Sequence, residues 1–439
     1  MRNLFLLLIM LLPYSVFSQV QSFTLDNGLR LLVKEDHRAP VVVSMIWYTV
    51  GSADEPGGIT GTSHALEHLM FKGTSNVPMG AFSKAIAAIG GQDNAFTNND
   101  YTAYFEKVAA PHLSLVFSLE ADRMQHLLLG KDEFDKEIRV IQEERRLRTD
   151  DNPQALTFER FLATAHLTAP YNHPVIGWMS DLKQMTVEDA RAWYTRYYTP
   201  NNAIVVVVGD VQAKDVYHLA KQHFGSLKKQ PLPVRKPQPE PPPLGPKTVL
   251  IEAPAQVPML MIGYTVPTVN TTSNTTQHDP YALELIAGIL DAGDSGRVTQ
   301  RLVRGLQVAS NVDIFYNLYA RYQTQFILYG TPSQSHSLNE LKKGIFSEIK
   351  RLQEEPISSE ELQRVKTQII AQKTFERDSQ FGQAMELGLL ETIGLGWKTA
   401  DRYIDRIHQV TPKHIQQAAI RYFQHNNQTE ARLIPKERQ

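Results

Sequence analysis

The chain has 439 residues, 42% of them hydrophobic, which is enough for two to four domains with sizeable cores. Its 45 Lys and Arg residues nearly balance 46 Asp and Glu residues, so no basic surface indicates a nucleic-acid partner. The absence of cysteine excludes disulfides, cysteine nucleophiles and thiolate zinc sites. Any zinc site must therefore use histidine and carboxylate ligands.

The N-terminus has the pattern of a secretory signal peptide. A short basic start at residues 1–3 precedes an apolar run over 4–12, with Val16 and Ser18 at the usual −3 and −1 positions. The apolar run is about half the length of a membrane span, which needs about 20 apolar residues. We therefore predict a signal peptide over 1–18, a mature chain exported to the periplasm or the medium, and no membrane span in that mature chain.

The first half of the mature chain predicts a mixed α/β unit. A hairpin is indicated by Asn27-Gly28 between alternating apolar residues, and a central strand by the β-branched run at 41–50. Further strands are predicted at 94–97, 101–108 and 203–208, and helices at 80–89, 111–129, 131–148, 153–168, 186–198 and 214–224.

Between the first strands and the 80–89 helix lies His64-Ala65-Leu66-Glu67-His68. Thr62 or Ser63 can begin a helix here, because no proline or glycine follows before residue 73. At about 100° per residue, His64 and His68 lie about 40° apart on one face. Two such imidazoles can bind one metal ion, and Glu67 beside them can accept a proton from a water. The alternative is a helix with two ordinary histidines.

A third ligand must come from another element, and the helix at 133–148 offers the best candidates. Glu144 falls within its apolar stripe, Glu137 lies seven residues earlier on the same side, and Glu143 points toward solvent. We expect Glu144 at a buried surface with Glu137 as its companion. The pattern alone also fits an ordinary charged helix. The apolar stripe comprises Phe134, Ile138, Val140, Ile141 and Leu147.

A proline-rich linker divides the chain, with eight prolines in residues 231–246. Residues 184–202 align without gaps on 409–427, and 45–50 resemble 261–266, which indicates duplication. We therefore predict an α+β fold of two homologous lobes, each an antiparallel-rich sheet covered by helices. The predicted parts are a catalytic domain at 19–228, a linker at 229–247 and a second domain at 248–439. Residues 281–290, which take the place of the histidine helix, contain no histidine, so the second domain has no predicted zinc site.

The histidine motif, followed by Glu144 in residues 137–144, resembles the M16 (pitrilysin) family of inverted-motif zinc peptidases, which includes mitochondrial processing peptidase and insulin-degrading enzyme. Supporting stretches are Phe71-Lys72-Gly73-Thr74, Asn94-Ala95-Phe96-Thr97, Asp150-Asp151-Asn152-Pro153 and residues 173–178.

The resemblance implies an endopeptidase that binds one zinc ion per chain and cleaves peptides or unstructured polypeptides. It implies His64, His68 and Glu144 as zinc ligands, Glu67 as general base and Glu137 as a helper near the metal. Asn94 and Ala95 match the family's edge strand, to which an extended substrate adds as a further strand.

One segment departs from the family. Such peptidases use an arginine and a tyrosine from a second-half domain to hold the substrate, but residues 301–310 are shorter than the corresponding family segment. They place Ala309 at the tyrosine position and Val303 at the arginine position, with Arg304 as a poor substitute. The resemblance therefore implies a heterodimer with a zinc-free homologue that supplies this pair, in preference to a homodimer. A non-catalytic M16-like binding or scaffolding subunit is the alternative function.

Overall fold

The computed structural model describes residues 19–436, so the predicted signal peptide lies outside the described residues. The first lobe is built on a six-stranded sheet in the order β1-β2-β6-β3-β5-β4. Only β2 and β6 are parallel neighbours. The strands are β1 (Gln21–Thr24), β2 (Arg30–Glu35), β3 (Val41–Tyr48), β4 (Gln92–Thr97), β5 (Thr102–Ala109) and β6 (Ala203–Gly209).

The helices of the first half begin and end at recognisable local signals. Thr186 and Asp189 form a reciprocal capping box at the start of α7, and Asn152 with Pro153 begins α5. The helices are α1 (Thr62–Leu69), α2 (Ala81–Ala88), α3 (Leu113–His126), α4 (Lys131–Arg145), α5 (Pro153–Ala165), α6 (Met179–Gln184), α7 (Val187–Tyr197) and α8 (Ala213–Phe224).

The second lobe repeats this plan around a five-stranded sheet in the order β7-β11-β8-β10-β9. Its parallel pair is β7 with β11, the counterpart of β2 with β6. Its elements are β7 (Lys247–Ala253), β8 (Met259–Val266), α9 (Asp279–Leu290), β9 (Ala309–Phe315), β10 (Thr324–Pro332), α10 (Leu338–Glu354), α11 (Ser359–Asp378), α12 (Gln380–Thr392), α13 (Thr399–Gln409), α14 (Pro412–Tyr422) and β11 (Gln428–Pro435).

The duplication predicted from sequence is visible in this shared topology. The aligned segments 184–202 and 409–427 contain α7 and α14, and Thr411 caps α14 as Thr186 caps α7. The predicted α+β fold of two homologous lobes is therefore confirmed. The domain limits along the chain stay a prediction.

Three predicted helices are shorter than expected. The helix predicted at 111–129 begins only at residue 113, because Pro111 lies in a preceding 3₁₀ turn. The one predicted at 131–148 has regular α geometry only to Arg145, and residues 146–150 continue in a wider turn. The one predicted at 153–168 ends at Ala165, because the backbone of His166 is extended. Glu144 therefore lies in the last regular turn of α4.

Each lobe covers its sheet partly with a helix from the other half of the chain. α12 packs on β3 and β6, and a Cβ atom on its Gly388 would lie 2.1 Å from the ring of Trp47. α5 packs on β7, β8 and β11. A Cβ atom on Gly263 of β8 would lie 2.4 Å from the ring of Phe161 on α5, so the close packing requires glycine there. This exchange makes the two lobes interdependent in packing. Within residues 19–436 no helix combines the length and apolarity that crossing a bilayer requires.

Candidate metal centre

The N-terminus of α1 is held by a buried carboxylate. Glu55 accepts hydrogen bonds from the amides of Gly61, at 2.6 Å, and Ser63, at 2.7 Å, and so satisfies two of the helix's free donors. Gly61 has φ +90, and a Cβ there would lie 2.5 Å from the carbonyl oxygen of Ile176. This packing fixes the start of α1 and with it the direction of its histidine face.

His64 and His68 from α1 and Glu144 from α4 come together in one cluster. The Nε2 atoms of His64 and His68 lie 3.7 and 3.6 Å from Glu144 Oε2, and one donor atom from each of the three residues lies within 4.8 Å of the others. Tetrahedral zinc with bonds of about 2.1 Å separates its ligand atoms by about 3.4 Å. Both the donor set and the spacing therefore fit zinc. Among the described residues, this is the group of three histidine and acidic side chains whose donor atoms all lie within 4.8 Å of one another.

The neutral state of the His64 ring favours metal binding. Its burial, together with the neighbouring charges of His68 and Arg148, lowers the pKa of His64 to about 3. The ring is therefore neutral at physiological pH, as a metal ligand must be. Its Nδ1 atom is buried and has no hydrogen-bond partner among the described residues.

Charged side chains orient the other two members of the cluster. Glu137 Oε1 lies 3.0 Å from His68 Nδ1, and its Oε2 lies 2.6 Å from Lys72 Nζ. Arg148 Nη1 lies 2.7 Å from Glu144 Oε1, which leaves Oε2 to face the two imidazoles. Glu137 thus contacts His68, whereas the helical pattern suggested Glu144 as its companion. The arrangement fixes the His68 ring with Nε2 toward the centre of the cluster.

Glu67 lies beside the cluster and contacts the first sheet. The hydroxyl of Thr97, the last residue of β4, donates to Glu67 Oε2 at 2.5 Å. Burial raises the pKa of Glu67, and the hydrogen bond from Thr97 opposes that shift. A carboxylate with a raised pKa is better suited to accept and return a proton near neutral pH.

Asn94 and Ala95 lie on β4, which is the outermost strand of its sheet. Asn94 is exposed, and its Oδ1 accepts the amide hydrogen bond of Ala95 at 2.8 Å. Among the described strands β4 pairs with β5 alone, so its other edge is open. An extended peptide can pair with such an edge through main-chain hydrogen bonds.

Glu143 and the segment 301–310 lie apart from the cluster's contacts. Glu143 is exposed and pairs with Arg146 at 2.6 Å. Arg301 and Arg304 pair within the second lobe, with Glu348 at 3.4 Å and with Asp294 at 2.5 Å.

Sequence reasoning missed Thr97, Lys72 and Arg148 as contacts of the site. Thr97 and Lys72 lie in the stretches Asn94-Ala95-Phe96-Thr97 and Phe71-Lys72-Gly73-Thr74, which carried the resemblance. Arg148 follows Glu144 by four residues, a spacing that predicts an ion pair on a helix.

Both halves of the chain match models of known protein families. Residues 30–177 match the family model described as "Insulinase (Peptidase family M16)", and residues 184–369 match the model described as "Peptidase M16 inactive domain". The chain is 34% identical over 353 residues to the zinc protease PqqE of Helicobacter pylori, which covers 79% of this chain and 77% of that protein. The chain therefore belongs to the M16 peptidase family.

Solved structures show the same architecture. A protease from Helicobacter pylori superposes with a TM-score of 0.89 at 30% identity, over 95% of this chain and 100% of that one. The periplasmic protease PqqL from Escherichia coli superposes with a TM-score of 0.79 at 19% identity, over 95% of this chain and 48% of that one. At that identity the second likeness concerns the fold alone.

Proposed function

We propose that this protein is a zinc-dependent endopeptidase that hydrolyses peptides or unstructured polypeptides. The observation that carries the proposal is the convergence of His64, His68 and Glu144 from two helices, with ligand atoms within 4.8 Å of one another. One zinc ion per chain would be held by His64 Nε2, His68 Nε2 and Glu144 Oε2. The relatives named zinc proteases support the same activity.

Bound zinc would supply Lewis acidity, which lowers the pKa of a coordinated water and polarises a peptide carbonyl. Glu67 takes the proton of the attacking water and passes it to the leaving amine nitrogen. Thr97 holds the Glu67 carboxylate in position through its hydrogen bond to Oε2. Glu137 acts through His68 by holding its Nδ1 atom.

The open edge of β4 would hold the substrate as an added strand, with main-chain pairing at Asn94 and Ala95. Such pairing accepts many sequences but requires an extended chain, so unfolded polypeptides suit this site better than folded ones. The contact between Thr97 on this strand and Glu67 would place the bound backbone beside the general base.

Export and pairing complete the proposal. The signal-peptide pattern over 1–18 supports export to the periplasm, where a peptidase of broad sequence tolerance would clear or process polypeptides. In the segment 301–310, Val303 and Ala309 stand where the family resemblance implies the arginine and tyrosine that hold the substrate. We therefore propose a heterodimer with a zinc-free homologue that supplies them.

Metal analysis combined with cleavage of an unstructured peptide tests this function. The chain should carry zinc, and a chelator should abolish cleavage by the complex isolated from the native host. Mass spectrometry of that complex should identify a homologue without the histidine motif. Full activity of the purified chain alone would contradict the heterodimer, and peptide binding without cleavage by the zinc-loaded complex would favour the scaffolding alternative.

A further inference from the structure

The turn that joins β4 to β5 lies next to both proposed functional features of β4. Its residues 98–100 directly follow Thr97, which contacts Glu67, and β4 carries the open edge. The turn is bonded to the segment after β3, because the amides of Ser52 and Ala53 donate to the carbonyls of Asn98, at 3.2 Å, and Asn99, at 2.8 Å. The position of this turn therefore sets the end of the edge strand.

An arginine from the second lobe holds the same turn. Arg321 Nη2 donates to the carbonyl oxygen of Asp100 at 2.5 Å, and the amide of Arg321 donates to the Asp100 carboxylate at 3.0 Å. Its Nη1 atom donates to Asp54 at 3.2 Å. Tyr171 donates to the same Asp100 carboxylate at 2.7 Å. The side chain of Arg321 is 11% exposed and those of Asp54 and Asp100 are each 7% exposed, so water competes little for these bonds.

We propose that Arg321 is a positioning residue for peptide hydrolysis, acting through the β4–β5 turn. The proposal rests on the function proposed above. Arg321 fixes Asp100, the turn fixes Thr97, and Thr97 orients Glu67 and ends the strand that pairs with substrate. Within the described residues, neither Arg321 nor Asp100 contacts a proposed zinc ligand. Zinc should therefore bind normally when the bonds between Arg321 and the β4–β5 turn are weakened.

A simple structural tie between the lobes is the competing explanation. Arg38 gives a control of the same residue type for it, with a side chain that is 54% exposed against 11% for Arg321. Arg38, in the first lobe, also lies between two aspartates and donates to a backbone carbonyl. It pairs with Asp36 at 2.7 Å and with Asp378 of the second lobe at 2.5 Å, and it donates to the carbonyl of Asp378 at 2.7 Å. This tie crosses between the lobes without touching the β4–β5 turn.

The first test compares R321K with R38K. Both variants keep a positive charge but lose the planar guanidinium, which can bond two acceptors at once. Activity is measured per zinc-loaded chain, in the complex isolated from the host. R321K should lower kcat/KM by about 10-fold to 100-fold, the loss expected from slight misplacement of reacting groups. Zinc content should stay at the wild-type level, and R38K should keep wild-type kinetics. Equal losses in both variants would overturn the proposal, because they would reflect the tie between lobes.

A double-mutant cycle with T97V separates the proposed route from an unrelated defect. Thr97 and Arg321 share no contact, so independent effects should add. If Arg321 acts through Thr97, R321K should cost much less in the T97V background than in the wild type. Full additivity of the two losses would overturn the proposal.

Amide hydrogen exchange gives a readout that does not depend on turnover. R321K should exchange faster than R38K over residues 92–101, with α1 unchanged in both variants. Equal exchange over 92–101 in the two variants would overturn the proposed clamp. A zinc-loaded wild-type complex that cleaves no peptide would instead refute the proposed function, and the exchange result would still decide whether Arg321 holds the turn.

Discussion

Replacing Glu137 with glutamine should weaken zinc binding without disturbing the three proposed ligands. Glu137 links His68, through a contact of 3.0 Å, to Lys72, through a contact of 2.6 Å, and it is only 9% exposed. Glutamine keeps an acceptor for the imidazole but loses the negative charge. That charge raises the basicity of the ring and balances the lysine ammonium.

The size of the effect follows from how such contacts act. Loss of a partner of a metal-bound histidine costs about 10-fold to 100-fold in metal affinity. This corresponds to about 1.4 to 2.7 kcal/mol. Glu133 provides a control on the same helix, because it also pairs with a lysine, Lys136, at 2.7 Å, but has no contact with the cluster among the described residues.

The assay is zinc competition with a chromophoric chelator at fixed pH, for wild type, E137Q and E133Q. E137Q should show the weakened affinity and E133Q the wild-type affinity. If E137Q and wild type bind zinc equally tightly, the link between Glu137 and the metal is refuted.

Three further predictions concern the general base, the linker and the packing between lobes. T97V removes the hydrogen bond that opposes the burial-raised pKa of Glu67, so the acidic limb of the kcat/KM profile should move to higher pH, while T97S should keep the wild-type limb. Burial alone would raise the pKa of the linker residue Glu240, but the His166 ring, whose Nδ1 lies 3.7 Å away, and hydrogen bonds from the amides of residues 167–169 lower it from 4.5 to about 2. The Glu240 carboxylate therefore stabilises the fold above pH 4.5, and this contribution is lost as the pH falls toward 2. In denaturant titrations at pH 7, E240Q should be about 1 to 3 kcal/mol less stable than the wild type, and this difference should shrink as the pH falls through that window. F161A removes a fully buried ring between α5 and the second sheet and should cost about 3 to 5 kcal/mol in denaturant unfolding, so an unchanged midpoint would contradict the helix exchange.

The sequence predicts best what local patterns determine. Asn27-Gly28 gives the hairpin of β1 and β2 because Gly28 takes a positive φ of +89. The spacing of His64 and His68 places both rings on one helix face, with centroids 4.6 Å apart. These features need only the geometry of a single element.

Long-range contacts explain what sequence patterns did not supply. The packing of α12 on Trp47 joins residues more than 300 positions apart, and neither element alone indicates its partner. Thr97 looks like an ordinary strand residue until the fold brings it to Glu67. Arg321 likewise acquires its surroundings only when the two lobes meet. The apolar stripe of α4 indicated that Glu144 would be partly buried, but the position of α1 beside it depends on the whole lobe.

Replacing Glu67 with glutamine, and measuring zinc content and peptide cleavage on the same preparation, tests the central claim most directly. Glu67 is the proposed general base, whereas His64, His68 and Glu144 are the proposed zinc ligands. The zinc content of E67Q should therefore equal that of the wild type. Its cleavage rate should fall by about 100-fold to 10,000-fold, the usual contribution of a positioned proton-transfer group. Wild-type turnover by zinc-loaded E67Q would contradict the account.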